Sequence, residues 1–406
     1  MKVLIVGSGG REHALAWKLA RSDELDELHA APGNPGIAAL GRCHPIRDDD
    51  VEGLLGLCRQ HGVDLVVVGP EAPLVAGIAD DLRRAGVAVF GPGAAAAQIE
   101  GSKAFAKELM RAAGVPTAAE LPEPRAPCVV KADGLAAGKG VFVCRTQPEA
   151  DAAWEAARSL GERVVVEELL EGEEVSVFAL TDGAEALALA PAQDFKRLLA
   201  GDEGPNTGGM GSYSPVPFLD TDEVEELVEL VHRPVIAELG RRGTPFVGLL
   251  YAGLMVTEDG PRVLEFNCRF GDPETQAILP RLEGDFLGAL TAAATGALAG
   301  VELTAGGEAA VTVVLAAAGY PEAPERGVEI GGVAEAEATG ALVFHAGTAI
   351  RDGRLVSAGG RVLGVTGVGS SVAEARERAY AAVERIDLPG GQFREDIAAR
   401  AVGVPG

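Results

Sequence analysis

One short stretch, VLEFNCRFGDPE at 263–274, gathers Glu265, Asn267, Arg269, Asp272 and Glu274 behind an apolar run. On a strand Glu265 and Asn267 point to one face, and Leu264 and Phe266 to the other. A carboxylate beside an amide oxygen is a hard-oxygen pair suited to Mg²⁺, or to Mn²⁺ in its place; Mg²⁺ takes few protein ligands alongside phosphates. Arg269 is placed to clamp an anionic oxygen through two parallel hydrogen bonds. Gly271 and Pro273 then turn the chain and present Asp272 and Glu274. Such charges are costly when buried without partners. A metal, a nucleoside triphosphate and a zwitterionic substrate would satisfy them.

Two further stretches suit a nucleotide. VVKADGLAAGKGVFV (129–143) puts Lys131 at a strand end, ahead of a glycine loop that carries Gly138, Lys139 and Gly140. The P-loop pattern GxxxxGK[ST] is absent, because Gly140 follows Lys139. A glycine hairpin can still close over phosphates, since bare amides approach closely and a lid excludes water. VVVEELLEGEEVSV (164–177) sets an apolar strand before Glu167, Glu168 and Leu170, where adenine could bond the backbone and a later acid the ribose. A solvated acidic turn fits that spacing equally well. The chain has only seven lysines among 35 basic residues, and Lys131, Lys139 and Lys196 lie beside glycines or polar clusters. A compact ammonium is not interchangeable with a planar guanidinium.

GSGGREHA (7–14) joins a strand to a helix, a place that favours an anion. The dinucleotide pattern GxGxxG fails because position 12 is Glu12, and no acid closes the next strand to hold a ribose. The loop reads as a ribose-phosphate or small-anion site, or as a tight turn needed for helix packing. GPEAPL (69–74), with Glu71, follows another strand and should open onto the same edge. His13 is as well explained by packing within its helix.

The elements that position these groups follow from periodicity. KVLIVG, DLVVVG and VAVFG alternate with helical stretches over the first hundred residues, which implies a doubly wound parallel sheet. A helix over 103–113 follows. Short strands flanking glycines (PCVVKADG, GVFVCR, RVVVEEL, EVSVFALTDG) imply a small α+β lid. FVGLLYAGLMVT and PRVLEFN form a strand pair turning at EDGP, and a mostly β domain with one late helix closes the chain. The boundaries fall at 1–101 for the N-terminal Rossmann-like domain, 102–116 for a linker helix, 117–190 for the lid, 191–305 for the central subdomain and 306–406 for the C-terminal domain. At 406 residues and 47% hydrophobic, the chain has ample material for several cores. A net charge of −25 argues against nucleic acid or an acidic membrane as partner. The apolar tract at 287–301 is a poor membrane span. Five cysteines without CxxC, and no basic-then-apolar leader ahead of the first strand, lead to the expectation of reduced thiols in a cytoplasmic protein.

Ten blocks in order, GSGGREHA, GPEAPL, VVKADGLAAGKGV, EELLEGEE, QDFKR, GPNTGGMGSY, LYAGLM, EFNCRFGDPE, VFHAGT and SAGGRVL, resemble the glycinamide ribonucleotide synthetase family of ATP-grasp enzymes across nearly the whole chain. The resemblance implies a carbon–nitrogen ligase that joins glycine to 5-phosphoribosylamine through glycyl phosphate, with ATP as co-substrate, at the second committed step of purine biosynthesis. It also implies roles for residues. Lys103 and Lys131 would hold the α/β phosphates beneath the 134–140 loop, with Glu167, Glu168 and Leu170 as adenine hinge and Glu174 as ribose acid. Lys196 would meet the transferred phosphate, Glu265 and Asn267 the metal, Arg269 the acyl phosphate and Asp272 the glycine ammonium. Gly9, Gly10, Arg11, Glu12, His13 and Glu71 would face the amine substrate, with Asp194, Asn206 and Gly271 completing the substrate surface. The partners implied are small molecules, on a monomer or weak dimer. Two departures stand out: Phe195 replaces the histidine usual in QDHKR, and the strand before the Glu–Asn pair lacks the extra metal-binding acid of many ATP-grasp enzymes.

Overall fold

The computed structural model describes residues 1–135, 140–161 and 163–403. The VLIV run of strand Lys2–Gly7 is buried throughout, as a central parallel strand must be. The sheet runs 42–43, 27–32, 2–7, 65–68, 88–90, all parallel. Its order reverses at strand Lys2–Gly7, so the loops after Gly7 and after Val68 open into one crevice, as the sequence led us to expect. Two strands escaped that reading. Glu27–Pro32 (ELHAAP) is short, alanine-rich and ends on proline, and Arg42–Cys43 has only two residues. The helical stretch expected between DLVVVG and VAVFG is two helices, Glu71–Ala76 and Ile78–Arg84, parted at Gly77 with φ of +98°.

A three-stranded antiparallel sheet (141–144, 128–132, 164–168) carries helix Gln147–Leu160 on one face. Its core of Cys128, Val130, Ala132, Cys144, Ala150, Ala153, Ala157 and Val166 is separate from the others. EVSVFALTDG, read as part of that lid, instead forms Glu173–Asp182 in the central antiparallel sheet (186–188, 173–182, 247–257, 260–267).

The last pair in that sheet holds a bulge. Gly253 faces Glu265 but Leu254 faces Val263, so Leu264 is the extra residue. Strict alternation therefore breaks: Val263 and Phe266 are the core residues, while Leu264 is only half-buried. The expectation that Leu264 and Phe266 share a face is corrected by that one inserted residue.

The C-terminal sheet runs 193–194, 211–214, 309–316, 361–369, 342–345. The glycine-rich segment GPNTGGMGSYSPVP, with Glu203 ahead of it, supplies strands Glu203–Asn206 and Gly211–Ser214. Residues 193–214 thus reach from the central region into the C-terminal sheet, and this carries Asp194 and Lys196 to the cleft. Among the described residues no helix is long and apolar enough to cross a membrane.

Candidate active site

The Glu265 carboxylate stands among three lysines from three other segments. Lys196 Nζ lies 3.4 Å from Glu265 Oε1 and also pairs with Glu174. Lys131 donates to the carbonyl of Leu264, the bulged residue, at 2.9 Å. Lys103 opens helix Lys103–Ala113 and donates to the Gly134 carbonyl at 3.0 Å, while Asp133 Oδ1 accepts its backbone N–H at 2.7 Å. Lys196 above all, against burial and with help from Lys131 and Lys103, holds the Glu265 carboxyl below its ordinary range. The Glu265 side chain is still 40% exposed, so an oxygen faces the cleft. Asn267 is half-buried, with Oδ1 accepting from Arg269 Nη2 at 3.2 Å. This accessible hard-oxygen pair, ringed by cations, fits a divalent ion bound together with phosphates.

Arg269 is held from both sides. Its Nε lies 3.2 Å from Glu71 Oε2 and its Nη2 2.9 Å from Glu100 Oε1. Burial works against the charge, but Glu100 and Glu71 more than offset it and raise its pKa. Burial likewise pushes Glu71 up, yet Arg269 and Arg11 bring it down to about 2. Glu100, with Oε2 accepting from the Cys268 N–H at 2.7 Å, is pushed up by burial despite Arg269.

Asp272 Oδ1 accepts from Gln276 Nε2 at 2.8 Å, and Oδ2 lies 3.5 Å from Arg361 Nη2. Burial raises its pKa, but Arg361 and Arg11 outweigh that and leave it low. Beside it Glu274 accepts from Tyr251 Oη at 2.8 Å, and Tyr251 shares a hydrogen bond with Ser176. A Cβ on Gly271 would sit 2.4 Å from Glu274 Oε2, so that glycine makes room for the carboxylate. Asp194 is half-buried, and burial together with Glu274, Glu174 and Glu265 drives its carboxyl well above the usual value against Lys196. Asn206 Nδ2 donates to the Val141 carbonyl at 3.0 Å, tying this region to the small sheet. Tyr251 sits across from Asn267 on the strand where an extra acid was sought, and it brings Glu274 there through its hydroxyl.

The Glu167 side chain turns inward. At 3% exposure it lies 2.6 Å from Lys131 and 2.7 Å from Lys107. Glu167→Gln should therefore leave two ammonium groups facing each other in a buried site. We expect a loss of roughly 3 kcal/mol or more in a urea melt, the scale for breaking a buried ion pair on one side. Glu168 Oε1 accepts from the Ala119 N–H at 2.7 Å, Leu170 is half-buried, and Gly140 accepts from the Ala132 N–H at 2.8 Å. Gly138 and Lys139 lie outside the described residues.

In the N-terminal loop, Glu12 Oε2 accepts the Gly9 N–H at 2.5 Å and Oε1 accepts from Arg11 Nε at 2.6 Å. Arg11 also donates to the Phe270 carbonyl at 3.0 Å, and its backbone N–H reaches toward Asp272. A Cβ on Gly69 would fall 2.0 Å from Glu12 Oε1, and one on Gly10 2.7 Å from Gln276 Nε2. The glycines thus leave space for the chain's own side chains. His13 Nδ1 accepts the His345 N–H at 2.8 Å, which joins the first helix to the C-terminal sheet. Burial, with His345 nearby, lowers its pKa to about 3.

Phe195 explains its own departure. Its ring packs with the C-terminal core, near Tyr213 and beneath the Arg394 guanidinium at 4.9 Å. Phe195→His should therefore leave the turnover number within about twofold. It should lower stability by about 1 kcal/mol or less, the worth of a modest cation–π contact, as read by a thermal melt beside initial rates.

Three family models match in chain order: the phosphoribosylglycinamide synthetase N domain over residues 1–100, its ATP-grasp (A) domain over 101–275 and its C domain over 310–400. The chain belongs to the phosphoribosylglycinamide synthetase family. Within the family, a phosphoribosylamine–glycine ligase of Streptomyces coelicolor is 54% identical over 99% of this chain and all of its own length. One from Rhizobium meliloti is 51% identical over 99% of each. The crystal structure of a phosphoribosylamine–glycine ligase from Thermotoga maritima is 36% identical with a TM-score of 0.84, covering 98% of this chain and 100% of that one. A biotin carboxylase domain from Hydrogenobacter thermophilus, solved with MgADP, shares the fold at a TM-score of 0.71 and 16% identity, over 97% and 91% of the two chains.

Glu100, Lys107, Tyr251 and Arg361 belong to the site's charge network, yet the sequence pointed to none of them. Glu100 ends an alanine-rich helix, and its partner Arg269 lies 169 positions away, so no local spacing marks it.

Proposed function

We propose that this chain ligates glycine to 5-phosphoribosylamine at the expense of ATP, giving glycinamide ribonucleotide, ADP and phosphate. The observation that carries this reading is the Glu265 carboxylate surrounded by Lys196, Lys131 and Lys103, with Asn267 and Arg269 just beyond. Carboxylate activation by phosphoryl transfer asks the protein mainly for positioning and charge neutralisation. Lys103 and Lys131 would hold the α/β phosphates, with the 134–140 loop above them. Glu168 and Leu170 would edge the adenine, and Glu174 would turn from Lys196 to the ribose. Glu167 enters this account by fixing Lys131. Glu265 and Asn267 would hold Mg²⁺, or Mn²⁺ in its place, which when bound supplies neutralisation of phosphate charge.

Lys196 and Arg269 would neutralise the oxygens of the phosphoryl group as it passes to the glycine carboxylate. Asp272 would bind the glycine ammonium, with Asp194, Asn206 and Gly271 lining the remaining wall. Attack by the amine of phosphoribosylamine on glycyl phosphate then expels phosphate. That amine would approach along the crevice between loop 9–13 and Glu71. The reading includes a cytoplasmic monomer or weak dimer, with domain boundaries at 101, 116 and 305; the lid boundary expected at 190 moves to before Glu173–Asp182, since that strand belongs to the central sheet.

The test is ADP release from ATP and Mg²⁺ with glycine, adding or withholding freshly generated phosphoribosylamine. Release that needs both substrates, with glycinamide ribonucleotide as product, is expected. No release with both, from folded protein that binds ATP, would mean that a different acid or amine is the substrate.

A further inference from the structure

The chain has six histidines, and three of them meet at one point far from the cleft residues in sequence. His29 lies on strand Glu27–Pro32, His44 follows the two-residue edge strand Arg42–Cys43, and His61 ends helix Val51–His61. One ring nitrogen from each falls within 4.8 Å of the other two. We propose that these imidazoles form a site for a borderline divalent transition ion, Zn²⁺ in kind, which fastens the outer edge of the N-terminal sheet.

The geometry is near what such an ion requires. Two nitrogens on one tetrahedral zinc, at about 2.0–2.1 Å each, stand roughly 3.3–3.4 Å apart. His29 Nδ1 and His44 Nε2 share a hydrogen bond at 3.0 Å, and an ion between them would take the place of its proton. His61 has its ring centroid 4.6 Å from that of His29 and 5.2 Å from that of His44. The second observation lies on the far side of the His29 ring. His29 is fully buried, yet among the described residues its Nε2 has no hydrogen-bond partner. The Glu27 carboxylate lies 3.3 Å from that nitrogen without being in line for a hydrogen bond. With the ion on Nδ1, the Nε2–H would face this carboxylate, the outer partner that fixes tautomer and ring orientation in histidine metal sites.

Imidazole ligates such an ion in its neutral form, through one ring nitrogen. An all-imidazole set selects Zn²⁺, Ni²⁺ or Cu²⁺ over Mg²⁺, so this site would not compete with the cleft for its ion. His44 and His61 are half-buried, so two of the three rings are within reach of solvent. An ion bound only by the folded state would raise stability, linking three segments of which one strand has only two residues.

The experiment titrates Co²⁺ into chelator-treated, desalted protein in excess Mg²⁺. The expected result is one Co²⁺ per chain with visible bands of four-coordinate intensity, displaced by Zn²⁺, and an upward shift in melting temperature with Zn²⁺. His44→Gln and His61→Gln should each weaken binding roughly 100-fold or more, at least what loss of an outer-sphere partner costs. Both should keep ligase turnover within about twofold, and His61→Gln the wild-type melting temperature without metal, whereas Glu265→Gln should keep the Co²⁺ bands. Folded wild-type protein that gives no such bands would overturn the site. So would bands that survive in both histidine variants, or bands that vanish in Glu265→Gln.

Discussion

Glu265→Ala is expected to abolish turnover while leaving the fold intact. Glu265 is the one carboxylate on which Lys196, Lys131 and Lys103 converge, and with Asn267 it offers the hard oxygens of the cleft. Its removal should lower kcat/KM by about 10³-fold or more, at the upper end of what loss of one preorganised electrostatic group costs. Stability should barely move, because the side chain is 40% exposed and Lys196 retains Glu174. Initial rates of ADP release across a Mg²⁺ series, beside a thermal melt, decide the matter. Unchanged activity in the folded variant would remove Glu265 from the metal and phosphate site.

Arg269→Met should fail in a different way, losing both activity and stability. The guanidinium is the counter-charge for Glu100 and Glu71, and Glu100 has a side chain only 9% exposed. Breaking such a buried pair on one side costs roughly 3–5 kcal/mol, because a charge is left without its partner. Adding Glu100→Gln removes the orphaned carboxylate while keeping an acceptor for the Cys268 N–H. The double variant should regain most of the lost stability in a urea melt and remain inactive. Recovery of turnover in the double variant would show that Arg269 acts only as a scaffold for the strand end.

Where chemistry lay close together in sequence, it could be read there. The strand pair 247–257 and 260–267, the turn between them and the grouping of Glu265, Asn267 and Arg269 follow from periodicity and turn residues, and the structure has them. So does the helix Lys103–Ala113. The bulge at Leu264 was hidden, because an extra residue in one strand is defined only by its partner. The ion pairs of the Glu167 side chain were hidden for a related reason. From its spacing it is a polar residue at a strand end, and only the fold brings Lys107 and Lys131 against it. Phe195 looked like damage to a polar motif, but alternation along the chain turns it toward the C-terminal core.

The glycine loop at 7–10 is, in effect, self-liganded. In doubly wound sheets this is where a bound anion meets the first helix. Here the anion is the Glu12 carboxylate, 2% exposed and already bonded to the Gly9 amide and to Arg11. A pyrophosphate arriving at that spot would meet a resident negative charge and no vacant Gly9 amide. To displace it, the newcomer would have to strip a buried carboxylate of its arginine. The loop that most resembles a dinucleotide cradle is thus already filled from within at Gly9, and the phosphate of an approaching substrate would have to find its donors elsewhere along the crevice.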